Sequence, residues 1–224
     1  MGWPPQFFAH GVQGATRRLD RMSIEKRGGM ERKAEIERKT RETAVTVAIH
    51  LDGSGQTEIR TGIPFFDHML TLFGVHGFFD LSIRAQGDLE IDSHHTVEDV
   101  GIVLGDAISK ALDERQGIRR YGFAVTPMDE ALATVAIDLS RRAYLVFQVP
   151  AGEASSTAFN RSLANEFFKS IAHRAGMNLH IRVSYGDNEH HILEAVFKSF
   201  GRALQQAVGM DPRISGVRSS KGSL

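Results

Sequence analysis

One five-residue pattern occurs twice in this chain, and it restricts the fold more than any other feature. Residues 94–98 read HHTVE, and residues 190–194, 96 positions later, read HHILE. Upstream of each copy, LSIRAQGD from Leu81 is echoed by LHIRVSYGD from Leu179. A period this long that occurs only twice indicates two fused sub-domains rather than a solenoid.

Hydrophobic spacing predicts the same order of elements in both halves. In the first half, alternation over 45–51, a Gly-containing turn at 52–55 and a run at 57–61 predict a β-hairpin. A helix over 65–75, paired strands within 81–91 and an amphipathic helix over 94–112 follow. In the second half we predict strands at 131–139, 143–149 and 179–184, and helices at 165–174 and from His190. The fold class is therefore α+β, with helices packed on one face of mostly antiparallel sheets.

The chain divides into three parts. Residues 1–40 combine Pro and Gly with charges of both signs and little amphipathic period, which predicts a poorly ordered N-terminal arm. Residues 41–120 form the first half of the duplicated domain. Residues 121–224 form the second half, including a C-terminal tail.

Composition limits the partners. Lys+Arg and Asp+Glu both number 27, so no net field attracts nucleic acid or an anionic membrane. There is no cysteine, which excludes disulfides, thiolate metal sites and a cysteine nucleophile. An apolar run of roughly 18 residues, which a membrane helix needs, is missing, as is a signal-peptide core. We therefore expect a cytoplasmic protein with no nucleic-acid or membrane partner.

The chemistry lies in the paired histidines. On a helix, a Glu at i+4 shares a face with the first His, while the adjacent His points roughly 100° away. One helix can therefore present imidazoles to two metal ions, and imidazole with carboxylate suits Mn²⁺, Fe²⁺ or Zn²⁺. Each half carries a further histidine on its shorter helix, His68 and His173. The candidate ligands are His68, His94, His95, Glu98, His173, His190, His191 and Glu194.

Other interpretations apply to several of these residues. A single His-His pair is ordinarily solvated, but the repetition of the whole pattern favours metal binding. His76 and His180 fit structural roles better than ligation. Asp67 either orients a ligating histidine or is a helix-start carboxylate. At the level of the whole protein, the alternatives are a metal-dependent hydrolase and a metal-storage protein built as a helical bundle.

Several motifs in the right order resemble imidazoleglycerol-phosphate dehydratase from Arg38 to Leu224. They are FDHML at 66–70, DSHHTVED at 92–99, NEHH at 188–191 and SSKG at 219–222. The resemblance implies two βα halves like domain 2 of ribosomal protein S5. It also implies a homo-oligomer of 24 chains, with sites completed between subunits and two Mn²⁺ ions per active site. The implied reaction removes water from imidazole glycerol phosphate to give imidazole acetol phosphate, with the metals acting as an electron sink on the ring.

The resemblance also implies roles for individual residues. Glu42, His95 and His191 would be catalytic, with Glu42 as the general acid-base. The phosphate of the substrate would be bound by Arg120, Arg142, Lys198, Ser220 and Lys221. Asp129 matches a family motif but fits a structural role equally well. Leu72 stands where many relatives have a glutamine that reaches the substrate, and Arg141 and Ala143 flank Arg142 where Gly and Pro are common.

Overall fold

A computed structural model describes residues 31–150 and 158–222 of the chain. The first half contains β1 (Lys33–Lys39), β2 (Thr43–His50), β3 (Thr57–Arg60), α1 (Pro64–Gly77), β4 (Asp80–Gly87) and α2 (His94–Leu112). The second half contains β5 (Tyr121–Met128), β6 (Ala131–Asp138), β7 (Tyr144–Gln148), α3 (Arg161–Arg174), β8 (Asn178–Tyr185) and α4 (Glu189–Val208). The two halves have the same element order, as the duplicated motifs predict.

Each half forms a four-stranded sheet. The strand order is β1-β2-β4-β3 in the first sheet and β5-β6-β8-β7 in the second. In the first sheet, β2 pairs antiparallel with β1 and with β4, whereas β3 runs parallel to β4. The second sheet repeats this arrangement. The predicted α+β duplication with mostly antiparallel sheets is confirmed.

Two predicted strand pairings are wrong. β2 and β3 do not form a hairpin, because β4 lies between them in the sheet. Residues 88–91 form a turn after β4, closed by a hydrogen bond from the N–H of Ile91 to the carbonyl of Asp88, and not a partner strand. Turn residues mark where the chain bends. Which strands then pair is decided by the hydrophobic faces that they share.

The N-terminal arm predicted for residues 1–40 extends too far along the chain, because its last part forms a strand. Lys33–Lys39 form β1, which pairs with β2 along its whole length. β1 is an edge strand in which Ala34 is buried and Ile36 half-buried, while the other side chains are exposed. An edge strand with one face in solvent carries charges at alternate positions, so its sequence reads as polar. The remainder of the arm, residues 1–30, lies outside the described residues.

The helices of the two halves pack against each other, α1 against α4 and α2 against α3. None of the helices in the described ranges is long and apolar enough to cross a membrane. Glycine permits the close approach: a Cβ on Gly201 of α4 would lie 2.5 Å from the carbonyl oxygen of Phe73. A Cβ on Gly105 of α2 would lie 3.1 Å from the carbonyl oxygen of Ile171. The two glycines thus make equivalent contacts in the two helix pairs.

Aromatic rings fill the space between these helices. Phe73 of α1 stacks on Phe200 of α4 with ring centroids 5.0 Å apart, and Phe66 of α1 meets Phe167 of α3 edge to face at 5.1 Å. All four rings are almost completely buried. Burial of one such ring contributes about 2–3 kcal/mol. The contact between the halves is therefore part of the core, and it fixes α1 relative to α4.

Candidate metal centre and phosphate pocket

Three side chains from two helices converge where α1 and α4 begin. Nε2 of His68 lies 3.0 Å from Oε1 of Glu194, and Nε2 of His190 lies 2.9 Å from the same oxygen. The possible ligand atoms of the three residues all lie within 4.8 Å of one another. Both imidazoles are 45 % exposed, so a small ligand can reach them from solvent. Two imidazoles and a carboxylate form a donor set suited to a divalent transition-metal ion.

Glu194 is the buried member of this cluster, with its side chain 9 % exposed. Its second oxygen, Oε2, accepts a hydrogen bond from Nζ of Lys198 at 2.6 Å. Burial alone raises the pKa of Glu194, but hydrogen bonds from Lys198, His68 and His190 outweigh it and lower the pKa to about 2. The carboxylate is therefore ionised at neutral pH and can bind a cation without losing a proton first.

Local hydrogen bonds fix the start of each helix. Oδ1 of Asn188 accepts the N–H of His190 at 2.9 Å and so caps α4. Pro64 stands in the first turn of α1, where its missing N–H costs nothing. Oδ1 of Asp67 accepts the N–H and the hydroxyl of Thr61 at 2.9 and 2.5 Å. Of its two alternative roles, Asp67 therefore has that of a helix-start carboxylate.

The second histidine of each pair points in a different direction from the first. In each pair the two imidazole planes are nearly perpendicular, with ring centroids 6.1 Å apart in α2 and 6.0 Å in α4. Nδ1 of His191 lies 2.7 Å from Oε2 of Glu130, and Nδ1 of His95 lies 3.0 Å from Oδ2 of Asp88. These hydrogen bonds raise the pKa of both histidines. A carboxylate on Nδ1 orients the ring and leaves Nε2 for an ion.

His173 does not join the second His/Glu set. Nε2 of His94 lies 3.6 Å from Oε2 of Glu98 on α2. His173 instead lines a cleft with Asp106 and Lys110, farther along the same helix. Asp106 is twelve residues beyond His94, which is roughly 18 Å along a helix. Within one chain, His173 therefore does not share a metal site with His94 and Glu98, because its position on α3 faces the other end of α2.

Glu166 occupies the corresponding position in the second helix pair. The equivalent glycine contacts match Phe73 with Ile171, 98 positions later, and at this spacing His68 corresponds to Glu166. Glu166 is half-buried on α3, and its carboxylate lies 3.2 Å from Nζ of Lys169. Because this position carries a glutamate and not a histidine, the histidine pattern did not indicate it. The 98-residue spacing between Leu81 and Leu179 is the sequence signal that identifies it.

Glu42 lies beside His95 without orienting it. Its Oε2 is 3.9 Å from Nδ1 of His95, whereas Asp88 makes the hydrogen bond to that nitrogen at 3.0 Å. In the second half, the turn between β5 and β6 carries Glu130, which binds His191 directly. The Glu42 side chain is 58 % exposed. Its carboxylate is therefore accessible to a substrate, whereas that of Glu130 is occupied in orienting a ring.

A cavity of about 540 Å³ brings Arg120 and Ser220 together with Arg213 and Arg218. Arg120 donates Nε and Nη2 to Asp138 at 2.6 and 3.0 Å, and Nη1 to the carbonyl of Arg218 at 2.8 Å. The C-terminal segment is thus held against the start of β5. Guanidinium groups and a hydroxyl around one cavity are suited to a phosphate.

The other predicted phosphate ligands lie outside this cavity. Nζ of Lys198 is bonded to Glu194 in the metal cluster, and Arg142 is exposed in the connection between β6 and β7. Lys198 and Arg202 also act on His76, whose pKa is lowered first by burial and then by these two charges. Glu194 also acts on His76, so His76 and the guanidinium of Arg202 belong to the surroundings of the metal cluster, and the sequence motifs indicated neither residue.

Several known proteins are similar to this chain in sequence. The family model of imidazoleglycerol-phosphate dehydratase matches residues 61–204. The imidazoleglycerol-phosphate dehydratase of Desulfosudis oleivorans is 59 % identical over 195 residues, which cover 87 % of this chain and 100 % of that protein. That of Acetivibrio thermocellus is 56 % identical over the same share of both chains.

Solved structures give the same result. Imidazoleglycerol-phosphate dehydratase from Pyrococcus furiosus, solved in complex with (S)-C348, matches with a TM-score of 0.75 and 39 % identity over 84 % of this chain and 100 % of that chain. The enzyme from Staphylococcus aureus matches with a TM-score of 0.72 and 36 % identity over 80 % and 99 %. Because the matched sequence includes both His-His-x-x-Glu helices and the converging ligands, the chain belongs to the imidazoleglycerol-phosphate dehydratase family.

Proposed function

We propose that this chain is a hydro-lyase of histidine biosynthesis that converts imidazole glycerol phosphate to imidazole acetol phosphate and water. The observation that carries the proposal is the convergence of His68, His190 and Glu194, together with membership of the family. The reaction breaks a C–H and a C–O bond in a chain where the hydrogen is not next to a carbonyl group. The protein must therefore bind the imidazole ring, move a proton and hold the phosphate.

The residues of the cluster fit a divalent metal ion. They offer two imidazole nitrogens and one ionised oxygen, and three protein ligands leave coordination positions for a substrate. The proposed metal is Mn²⁺, with two ions per active site; other divalent transition metals have the same ligand preferences. When bound, the ions supply Lewis acidity that withdraws electron density from the imidazole ring of the substrate.

His94, Glu98 and Glu166 form the second proposed ligand set. The support for this set is positional: these residues stand on α2 and α3 where His190, Glu194 and His68 stand on α4 and α1. Glu98 is 43 % exposed, whereas Glu194 is 9 % exposed. We therefore expect the second set to bind its ion less tightly than the first in an isolated chain.

His95 and His191 complete the sites of neighbouring copies in this proposal. Each ring is held through Nδ1 by a carboxylate of its own chain, and it diverges from the first histidine of its pair. Such a ring can offer Nε2 to an ion bound by a second copy. The proposed assembly is a homo-oligomer of 24 chains in the cytoplasm, and its partner is a small phosphorylated imidazole rather than nucleic acid or a membrane.

Glu42 is the proposed acid-base group. Its accessible carboxylate takes the carbon-bound proton of the glycerol chain, and a proton delivered to the departing hydroxyl releases it as water. The electron pair of the broken C–H bond forms a C=C bond between the two chain carbons while the C–O pair leaves with the hydroxyl. The resulting enol takes a proton on the carbon beside the ring and loses its hydroxyl proton, which gives the ketone imidazole acetol phosphate. Arg120, Ser220 and the adjacent Lys221 hold the phosphate, with Arg142 and Lys198 as further cationic contacts.

The test is a dehydratase assay on chelator-stripped protein with and without added Mn²⁺, following formation of imidazole acetol phosphate. We expect turnover to be restored by Mn²⁺ and abolished in His95→Ala and in His191→Ala. His173→Ala is the matched control, and it should retain turnover. Tight metal binding without turnover of this substrate would contradict the proposal and favour a metal-dependent hydrolase.

A further inference from the structure

A line of hydrogen bonds leads from the backbone of Glu42 to a buried carboxylate on α2. The N–H of Glu42 donates to Oγ1 of Thr40 at 3.1 Å, as does the N–H of Thr43 at 2.9 Å. The hydroxyls of Thr40 and Thr43 lie 3.2 Å apart, and the hydroxyl of Thr43 donates to Oδ2 of Asp99. Because Thr43 has one hydroxyl proton and uses it on Asp99, the donor between the two hydroxyls is Thr40, whose other acceptor, the carbonyl of Thr43, is farther away at 3.5 Å. All the donors therefore point toward Asp99.

Asp99 is suited to anchor this line. It is 8 % exposed, and Nε of Arg38 on β1 donates to its other oxygen at 3.0 Å, which balances its charge. Hydrogen bonds that end on an ionised, buried acceptor are strong and polarise one another. Asp99 also stands four residues after His95, on the same face of α2. The network thus ties the turn that carries Glu42 to the helix that carries His95.

The second half of the molecule folds without this network. Arg38 pairs with Val45 in the first sheet, and the equivalent pair in the second sheet is Thr126 with Ala133. Thr126 therefore stands at the position of Arg38, and Ala131 stands at the position of Thr43. At the position of Asp99, 96 residues later, stands Ala195. The hydroxyl of Thr126 is buried and has no hydrogen-bond partner among the described residues. The architecture of a half therefore does not require the network, which is present only in the half that carries Glu42.

The two halves also restrain their turn glutamates differently. Glu130 is held through its carboxylate, which accepts the N–H of Asn188 at 2.9 Å and binds His191 at 2.7 Å. The carboxylate of Glu42 stays 3.9 Å from His95, so its placement depends on its backbone. A group that transfers a proton needs such an arrangement, because its oxygens must be accessible to the substrate while its position is fixed.

We propose that Asp99, acting through Thr43 and Thr40, is a positioning residue that holds Glu42 beside His95. This inference rests on the proposed acid-base role of Glu42. Removal of the hydroxyl link should let the turn move and should lower the rate of proton transfer. Metal binding and substrate binding, which use other residues, should change little.

The test compares Thr43→Val with Thr43→Ser in the Mn²⁺-loaded enzyme. Val keeps the shape of Thr but removes the hydroxyl, and we expect kcat to fall about tenfold with KM within about twofold and metal content unchanged. Ser keeps the hydroxyl and should retain most of kcat. Thr40→Val breaks the same line at its other end and should reproduce the loss, so the test does not depend on the folding of one variant.

Two controls separate positioning from general damage. Asp106→Asn breaks the ion pair between α2 and Arg174 of α3, which lies away from Glu42, and it should leave kcat unchanged. The double variant Glu42→Gln/Thr43→Val should be no slower than Glu42→Gln alone, because the link has nothing left to position. Additive losses, or full kcat in both Thr43→Val and Thr40→Val, would overturn the inference. An active Glu42→Gln would instead remove the acid-base role on which it rests.

Discussion

Nδ1 of His191 lies 2.7 Å from Oε2 of Glu130, in the turn between β5 and β6. The other ring nitrogen lies 3.8 Å from Asp129 and does not join His190 at Glu194. The two adjacent histidines of α4 therefore contact different carboxylates, His190 that of Glu194 and His191 that of Glu130. In the proposed function the pair supplies ligands to two sites, and the orientation of the second ring depends on a carboxylate from a strand turn.

The first prediction concerns this carboxylate. Glu130→Gln weakens the restraint on the ring of His191, so we expect the affinity for Mn²⁺ to fall roughly 10- to 100-fold. Titration of chelator-stripped protein with Mn²⁺ measures the change. Glu114→Gln, which removes an exposed ion pair with Arg141, is the control and should bind as the original protein does. Equal affinities for both variants would show that Glu130 does not orient the ligand.

A second prediction separates the two candidates for the remaining ligand. Glu166→Gln should lower the number of tightly bound Mn²⁺ ions and reduce kcat, because it removes an anionic ligand from the second set. His173→Ala should change neither, because His173 lies at the far end of α2. Metal analysis of the dialysed proteins gives the answer. Loss of metal in His173→Ala but not in Glu166→Gln would reverse the assignment.

The helix contact supports a third prediction. Gly201→Ala places a Cβ 2.5 Å from the carbonyl oxygen of Phe73 and pushes α1 away from α4. We expect the free energy of unfolding to fall by about 1–3 kcal/mol. Metal affinity should fall as well, because His68 moves relative to His190. Urea denaturation and Mn²⁺ titration measure the two effects, and Gln205→Ala, on the exposed face of α4, should produce neither.

The fourth prediction concerns pH. Hydrogen bonds from the N–H groups of Ser54 and Gln56 lower the pKa of Asp80 below its ordinary value of 3.8. A lowered folded-state pKa adds stability that is fully present above pH 3.8 and is lost as the pH falls through the folded value. Asp80→Asn should therefore cost about 0.5–1 kcal/mol at pH 7, a small value because the side chain is 37 % exposed.

The measurement for Asp80→Asn is denaturant unfolding of both proteins at pH 7 and along the acid limb. The difference between them should begin to shrink below pH 3.8 and should disappear as the pH falls through the lowered pKa of Asp80 in the folded protein, where Asp80 itself becomes neutral. Asp187→Asn, at an exposed aspartate, is the control and should show little cost at any pH. A cost that stays constant into the acid range would mean that the charge of Asp80 is not responsible.

Much of this molecule follows from patterns within single segments. The spacing of apolar residues predicts α2 from His94 to Leu112, which are its observed bounds. The repeated His-His-x-x-Glu pattern identifies His190 and Glu194 as neighbours on one helix face, because a helix brings residues four apart together. These relationships are local, so side-chain spacing and backbone geometry determine them without reference to the rest of the chain.

The sequence by itself thus determined the duplication, the α+β class and the family resemblance. Only the tertiary structure decided that β4 lies between β2 and β3, that Asp67 binds Thr61, and that His173 faces the far end of α2. These facts depend on packing between segments far apart in sequence, such as the approach of Gly201 to Phe73. No local pattern contains that information, because a contact of this kind is set by the shapes of two surfaces that meet only in the folded chain.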